Sequence, residues 1–233
     1  MTSSIPAVDS RMAKGSALQA VLLDMDGTLV DTEGIWWDAE VGIFADLGHV
    51  LAEEHREVVV GGPMSRSASY LIEATGADIP LAELTILLNA RFAELIDGQV
   101  PMLPGARRLL AELAAHEIPT ALVSASHRSV IDRVLRSVGA EYFHLTVAGD
   151  EVARTKPHPD PYLLAATGLG ADPARCVVIE DTHTGVAAAE AAGCQVLAVP
   201  SVVPIDPAPT RTVVRSLEEV DLPFLHTLVT ARG

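Results

Sequence analysis

The chain has few residues of several kinds, and each shortage argues against a class of protein. Only two of its 233 residues are cysteine, Cys176 and Cys194. Each lies in or beside an apolar run, so we expect two buried thiols in a reducing compartment rather than a disulfide or a thiolate metal site. The sequence contains no run of about 18 apolar residues, which argues against a helix that crosses a membrane.

Basic and aromatic residues are also scarce. The chain carries 16 Lys and Arg against 31 Asp and Glu, for a formal net charge of −15, and 4% of its residues are aromatic. The acidic charge disfavours nucleic acids and anionic membrane surfaces as partners. A local cation or a helix N-terminus would still allow a small anion to bind. The aromatic content gives no sign of a protein interface, so we expect a monomer.

What the chain does contain suits a folded enzyme. Its hydrophobic fraction is 49% and its charged fraction 20%, which are values typical of globular rather than disordered proteins. The length allows one or two domains. The first 19 residues lack the apolar segment of a secretory signal, so we expect a cytoplasmic location.

Short apolar runs alternate with helical patterns along most of the sequence. Strands alternating with helices are typical of βαβ units, in which right-handed crossovers place helices on both faces of a parallel sheet. We therefore predict an α/β fold with a Rossmann-like three-layer core. The predicted strands are residues 20–23, 120–123, 145–148, 176–179 and 195–199, and the helical patterns between them are residues 105–116, 129–138, 160–167 and 184–192.

The segment from residue 35 to residue 102 interrupts this alternation. It contains three helical patterns (36–47, 67–73 and 81–96) and one strand-like run (58–60). We predict a core domain made of residues 17–34 and 103–233, with an inserted α-helical cap domain at residues 35–102. Proline and glycine at 101–105 indicate a hinge, and the proline-rich stretch 202–211 is predicted to be an irregular loop.

The segment VLLDMDGTLVDTE, residues 21–33, carries the strongest functional signal. Three apolar residues predict the end of a buried strand, and Asp24 and Asp26 follow at once. Residues two apart in an extended chain lie on the same side, so both carboxylates can face one site. Close carboxylates repel each other unless a cation or a proton lies between them. The pattern therefore predicts a metal, a nucleophile and a proton donor in one place, rather than acids on a surface turn.

Three further positions complete this predicted site. Ser124 follows the second strand and could offer its hydroxyl to an anion, although a serine there is also common as a loop residue. Lys156 lies in TKPHPDP, where three prolines in five residues stiffen the loop; taken alone, a lysine in such a loop is more often a solvated surface residue. Glu180 and Asp181 end the run 176–179, and hard carboxylate oxygens suit Mg²⁺, although Asp181 could instead cap a helix.

Taken together and in this order, the segments resemble the haloacid dehalogenase superfamily. DMDGTLVDTE, the serine after the second predicted strand, KPHPDP and EDTHTG each match one of its motifs. The resemblance is to the branch with a helical cap inserted after the first motif, and it spans approximately residues 20–199. Asp26 is present, whereas true dehalogenases of the superfamily lack this second acid, so halide displacement is not expected.

The resemblance implies a role for each of these residues. Asp24 would be the nucleophile that forms an aspartyl-phosphate, and Asp26 would protonate the leaving oxygen and then take a proton from water. Ser124 with its neighbour Ala125, together with Lys156, would hold the phosphoryl oxygens.

The resemblance also implies a magnesium site and contacts from the cap. Mg²⁺ would be held by Asp24, by Asp26 through its backbone carbonyl, and by Glu180 and Asp181. Trp36, and Arg66 after the glycine turn at residues 61–63, would contact the substrate from the cap.

The implied activity is hydrolysis of a small phosphate monoester, with a sugar or polyol phosphate as the best class. The alternative is a phosphomutase similar to the beta-phosphoglucomutases. Those enzymes place a histidine in the cap-entry region, near the position of Trp36 here, which weakens this alternative. A catalytically silent binding protein on the same scaffold would be expected to lose an acid of the site, and all of them are present.

Overall fold

The computed structural model describes residues 18–59, 64–96 and 100–230, except for the side chains of residues 57 and 64–66. Over these ranges it contains one six-stranded sheet in the order β3-β2-β1-β4-β5-β6, and every neighbouring pair is parallel. The predicted α/β class is confirmed. The strands are β1 Ala20–Leu23, β2 Thr120–Val123, β3 Leu145–Val147, β4 Cys176–Glu180, β5 Gln195–Ala198 and β6 Arg211–Val213.

The helices of the described residues fall into two groups along the chain. Four lie between β1 and β2: α1 Glu33–Asp46, α2 Glu53–Val59, α3 Met64–Thr75 and α4 Leu81–Leu95. Five follow: α5 Ala106–Ala115, α6 Arg128–Val138, α7 Asp160–Gly168, α8 His183–Ala191 and α9 Leu222–Thr230. Among the described residues, no helix combines the length and the apolar character needed to cross a bilayer.

The central strand shows why the core has three layers. All four residues of β1 are buried, and successive side chains of a strand point to opposite faces of the sheet. Val21 and Leu23 join one apolar cluster, which includes residues of α5, α6 and α9. Ala20 and Leu22 join a second cluster with residues of α7 and α8. Helices therefore cover both faces, as a parallel sheet requires.

The helices α1–α4 occupy the segment predicted as an insertion. They share an apolar cluster of their own, which includes Phe44, Leu71 and Leu88. The chain leaves and re-enters the rest of the fold through two adjacent segments: the Asp31 N–H donates to the Pro101 carbonyl and the Leu103 N–H to the Leu29 carbonyl, each at 2.9 Å. We retain the division into residues 17–34 with 103–233 and residues 35–102 as a proposal for the domains.

The predicted strand at 58–60 is wrong where the structure describes it. Val58 and Val59 are the last two residues of α2, and residue 60 lies outside the described ranges. Valine favours strands locally, but propensity is a weak preference that packing overrides. Val59 is buried in the α1–α4 cluster, and Glu53 and Glu54 favour a helix N-terminus at the start of α2.

Two elements near the end of the chain were not predicted. Arg211, the last residue of the predicted irregular loop, begins β6, which pairs with β5 at the edge of the sheet. Its half-exposed residues Arg, Thr and Val give no buried apolar run for a sequence pattern to detect. Helix α9 packs Leu222 and Leu225 against the core.

Candidate active site

Three neighbouring strands end at the same edge of the sheet, and each is followed by polar side chains. Asp24 follows β1, Ser124 follows β2, and Glu180 is the last residue of β4 with Asp181 directly after it. The chain stays extended beyond β1, since the Asp24 N–H donates to the Ile179 carbonyl at 3.0 Å. From β1 the chain continues to β2 and β3 on one side of the sheet, and then crosses to β4, β5 and β6 on the other side. At such a reversal of strand order, α/β proteins bind ligands in a crevice beyond the carboxyl ends of the strands.

A buried lysine joins two of these strand ends. Lys156, in the loop before α7, is 7% exposed. Its Nζ donates to Asp24 Oδ1 at 2.5 Å, to Glu180 Oε1 at 2.8 Å and to the Val123 carbonyl at 2.9 Å. Burial alone would lower the pKa of Lys156, but the carboxylates of Asp24 and Glu180 outweigh it and hold that pKa well above its ordinary value. Lys156 is therefore a fixed positive charge.

Three carboxylates next to this lysine can hold a metal ion. Asp24, Glu180 and Asp181 are buried, and each offers an oxygen within 4.8 Å of the others. Burial and the nearby Glu180 carboxylate raise the pKa of Asp181 to about 7, although hydrogen bonds from Ser201 (2.6 Å) and Thr28 (3.1 Å) partly oppose this rise. A set of hard oxygen donors with this much negative charge in a buried place fits a divalent cation such as Mg²⁺.

Glu180 differs from the other two acids because donors already surround it. Its Oε1 accepts from Lys156 and from the Tyr162 hydroxyl, and its Oε2 accepts from the Thr182 hydroxyl and from the N–H groups of Asp181 and Thr182. It could give an oxygen to a metal only by releasing one of these donors. These hydrogen bonds suit Glu180 to hold Lys156 and the backbone at Asp181 in position.

Asp26 lies in a separate group of hydrogen bonds. Its Oδ2 accepts from the hydroxyls of Ser124 at 3.1 Å and Ser126 at 2.9 Å. Its Oδ1 accepts from the Thr32 hydroxyl at 2.8 Å and from Trp36 Nε1 at 3.4 Å. The side chain of Asp26 is not part of the three-carboxylate group. It is held instead by residues of the β2 loop and of α1.

Sequence reasoning missed Thr32 and Ser126. Thr32 precedes α1, where a threonine commonly caps a helix, but its side chain makes no capping bond and donates to Asp26 instead. Ser126 is the second serine of the Ser-Ala-Ser sequence after β2, and only this repetition could have drawn attention to it.

Close backbone approaches explain two glycines of the site. Gly27 has a φ of +76°, and a Cβ there would lie 2.2 Å from Asp181 Oδ2. A Cβ on Gly149 would lie 2.1 Å from the Ala125 carbonyl oxygen, so only glycine lets this loop pass the loop after β2. Gly27 thus allows the turn after β1 to lie against Asp181, and Gly149 allows its own loop to lie against the loop after β2.

Comparison with known proteins decides the family. The family model of haloacid dehalogenase-like hydrolases matches residues 18–193. The chain belongs to the haloacid dehalogenase-like hydrolase family. It is an enzyme of the hydrolase class.

Individual relatives agree with this assignment. The chain is 34% identical to the protein CbbY of Rhodobacter capsulatus over 195 residues, which cover 79% of this chain and 86% of that one. It is 37% identical to a bifunctional riboflavin kinase/FMN phosphatase of Arabidopsis thaliana over 186 residues, which cover 78% of this chain but only 48% of that longer protein.

A solved structure shows the same arrangement of elements. The crystal structure of CbbY from Rhodobacter sphaeroides in complex with xylulose-(1,5)bisphosphate matches with a TM-score of 0.78 and 28% identity. The match covers 89% of this chain and 99% of that one. Most of this chain therefore has the same fold as that protein.

A cavity of about 330 Å³ lies between the strand ends and the inserted helices. Eight of the predicted site residues line it: Asp24, Asp26, Trp36, Ser124, Ala125, Lys156, Glu180 and Asp181. Trp37 and Glu40 of α1 and Asn89 of α4 also line it. The side chain of the ninth predicted residue, Arg66, and the glycine turn before it lie outside what the structure describes. Eight of the nine residues predicted from the sequence therefore lie around one cavity in this hydrolase.

Proposed function

We propose that the chain is a Mg²⁺-dependent phosphatase that hydrolyses a small phosphate monoester through an aspartyl-phosphate on Asp24. The grouping of a carboxylate nucleophile, a buried cation and a second, separately held carboxylate carries this proposal. Lys156 contacts Asp24, and Asp26 lines the same cavity. Phosphoryl transfer requires positioning and charge neutralisation above all. A protein of net charge −15 can bind an anionic phosphate only where local cations outweigh that charge.

In the first half-reaction, a carboxylate oxygen of Asp24 forms a bond to phosphorus while the bond to the leaving oxygen breaks. Asp26 donates its proton to that oxygen, so the leaving group departs as an alcohol. The hydroxyls of Ser124 and Ser126 can rotate to accept from Asp26 when it carries the proton. Lys156 and the loop containing Ser124 and Ala125 hold the phosphoryl oxygens.

In the second half-reaction, water attacks phosphorus, the bond to Asp24 breaks, and Asp26 takes a proton from the water. The sum is hydrolysis of the monoester to an alcohol and phosphate. Mg²⁺, held by Asp24, Asp181 and the Asp26 backbone carbonyl with Glu180 as a further candidate ligand, would supply the positive charge that lets anionic Asp24 approach a phosphate.

The leaving group is proposed to be a sugar or polyol. Trp36 and Trp37 line the cavity beyond Asp26, and apolar faces of sugars pack on aromatic rings. The relative CbbY binds a sugar bisphosphate in its crystal structure. The acidic charge supports an enzyme without nucleic acid or membrane partners, and the two buried free thiols support a location in the cytoplasm. The low aromatic content supports a monomer.

The test is phosphate release in the presence of Mg²⁺ from a panel of sugar, polyol and nucleotide monophosphates, flavin mononucleotide and an aryl phosphate. Asp24→Asn should abolish turnover and leave the fold unchanged, whereas exposed Asp38→Asn on α1 should behave as the wild type. An active Asp24→Asn enzyme would contradict the mechanism. Conversion of β-glucose 1-phosphate to glucose 6-phosphate without phosphate release would instead identify a mutase.

A further inference from the structure

Helix α1 presents an acid to the cavity that the proposed chemistry does not use. Glu33, Trp36, Trp37 and Glu40 all line the cavity, and their spacing of three, four and seven residues puts them on one face of the helix. Glu40 belongs to the inserted helices and follows Trp36 by one turn. It is 6% exposed. A carboxylate is therefore buried at the wall of the cavity that α1 provides.

Nothing in the described part of the chain donates a hydrogen bond to Glu40 or pairs with its charge. Burial is the cause that raises its pKa, to about 7, and no cation among the side chains that the structure describes opposes the shift. A buried carboxylate without a partner costs folding free energy. A ligand that brings hydrogen-bond donors to the Glu40 carboxylate would offset this cost.

Three other polar side chains of the inserted helices that line the cavity, those of Ser67, Thr85 and Asn89, direct donors to the backbone. The Ser67 hydroxyl donates to the Val59 carbonyl at 3.1 Å, and the Thr85 hydroxyl to the Leu81 carbonyl at 2.8 Å. Asn89 Nδ2 donates to the Thr85 carbonyl at 2.8 Å. These bonds hold Ser67 of α3 against α2, and Thr85 and Asn89 against their own helix α4. Glu40 is thus a buried carboxylate at this wall that accepts from no donor among the described side chains, whereas Glu33, the other acid of α1 at the cavity, is only half-buried.

We infer that Glu40 accepts hydrogen bonds from hydroxyl groups of the leaving group and thereby selects polyhydroxylated monophosphates. This inference rests on the proposed phosphatase function and narrows its substrate class. The indole rings of Trp36 and Trp37 lie beside Glu40 on α1 and suit the apolar face of the same polyol. A second phosphate at this wall would meet an acid, so bisphosphates are selected against. A cavity of about 330 Å³ is at the small end of the range for ligand sites, which suits the monophosphate of a small polyol.

The test compares substrates that differ only in the groups that would meet Glu40. Full-length enzyme with Mg²⁺ is assayed for kcat/KM on a hexitol 6-phosphate, on hexyl phosphate, on fructose 6-phosphate and on fructose 1,6-bisphosphate. p-Nitrophenyl phosphate, whose leaving group has no hydroxyl chain, reports the chemistry alone. Wild type should prefer the hexitol phosphate over hexyl phosphate, and the monophosphate over the bisphosphate, by at least about 10-fold each.

Glu40→Gln keeps the shape of the side chain and removes its charge. We expect kcat/KM for the hexitol phosphate to fall about 10- to 100-fold, the range for a charged hydrogen bond, with p-nitrophenyl phosphate within about twofold of wild type. Exposed Asp38→Asn on the same helix should change neither value. An equal loss on every substrate would show a structural role for Glu40, and unchanged selectivity would also overturn the inference.

A binding measurement separates this inference from the proposed function. Calorimetric titration of Asp24→Asn with the same phosphates, with and without Glu40→Gln, measures recognition without turnover. If the wild type releases no phosphate but Glu40→Gln still weakens hexitol phosphate binding, the phosphatase proposal is wrong and the recognition role stands. If phosphate is released and Glu40→Gln leaves both binding and selectivity unchanged, only the role of Glu40 is wrong.

Discussion

Trp36 links the proposed general acid to the inserted helices. Its indole Nε1 donates to Asp26 Oδ1 at 3.4 Å, while its ring stacks on Phe92 of α4 with centroids 3.7 Å apart and planes 14° from parallel. Asp26 is therefore oriented from the α1–α4 side as well as from the serines of the β2 loop. Placement of these helices and placement of the proton donor are physically coupled in this chain.

Replacing Trp36 by Phe tests this link. The variant keeps an aromatic ring for stacking on Phe92 but removes the N–H that reaches Asp26. Loss of one such hydrogen bond is worth about 0.5–1.5 kcal/mol, so kcat should fall roughly 2- to 12-fold with a small change in melting temperature. With p-nitrophenyl phosphate as the substrate, which has no hydroxyl chain, Trp37→Phe is the matched control, because the Trp37 ring lies near the Arg56 guanidinium and the bond to Asp26 comes from Trp36. Equal effects of the two variants on kcat would argue against a specific role for the Trp36 N–H.

Metal binding should stabilise the fold through Asp181. Ligand binding to the folded state adds RT ln(1 + [L]/Kd), or about 2.7 kcal/mol at 100 times Kd, so Mg²⁺ should raise the melting temperature of the wild type and EDTA should reverse the rise. Asp181→Asn should lose most of this response together with activity, whereas exposed Asp132→Asn should keep both. Differential scanning fluorimetry over a Mg²⁺ titration measures this rise in melting temperature for each protein. An undiminished response in Asp181→Asn would place the cation elsewhere.

The approach of Gly149 to the β2 loop predicts a specific sensitivity. In Gly149→Ala the new Cβ would lie 2.1 Å from the Ala125 carbonyl oxygen, so the loop holding Ser124 and Ser126 has to move. Small displacements of positioning groups can cost about 100-fold in rate. We expect kcat/KM on an aryl phosphate to fall about 10- to 100-fold. Gly34→Ala in α1, where nothing lies within 4 Å of the new Cβ, should be fully active and slightly more stable.

Much of the core could be predicted because its signals are local. Each of β1, β2 and β4 is a short apolar run that stops at a polar residue, so the strand can be inferred from residues adjacent in the sequence. The same residues give the position of Asp24, Ser124 or Glu180 at the end of its strand. The parallel arrangement then brings these ends together without any knowledge of contacts.

The parts that were missed depend on contacts between distant segments. The hydrogen bond from Ser126 to Asp26 joins residues 100 positions apart, and no pattern around either residue indicates it. Val58 and Val59 have the local preference of a strand, but burial of Val59 against the inserted helices decides for a helix. Glu40 carries no motif at all. Its importance follows from its place on the face of α1 that lines the cavity.

Glu40, which has no partner among the described side chains, should also make stability depend on pH. The pKa of Glu40 is raised by burial from 4.5 to about 7 in the folded protein, so the folded state holds a proton that the unfolded chain has already lost between these values. Stability from this group is complete below about pH 4.5 and is lost as the pH rises through about 7. Glu40→Gln removes the ionisable group, so it should be more stable than wild type by roughly 2–4 kcal/mol at pH 8.5, and the difference should vanish near pH 4. Urea unfolding of both proteins and of Asp38→Asn at the two pH values measures this. A Glu40→Gln variant that is less stable than wild type at pH 8.5 would mean that Glu40 has a partner in the folded protein, and would remove the reason to look for that partner in the substrate.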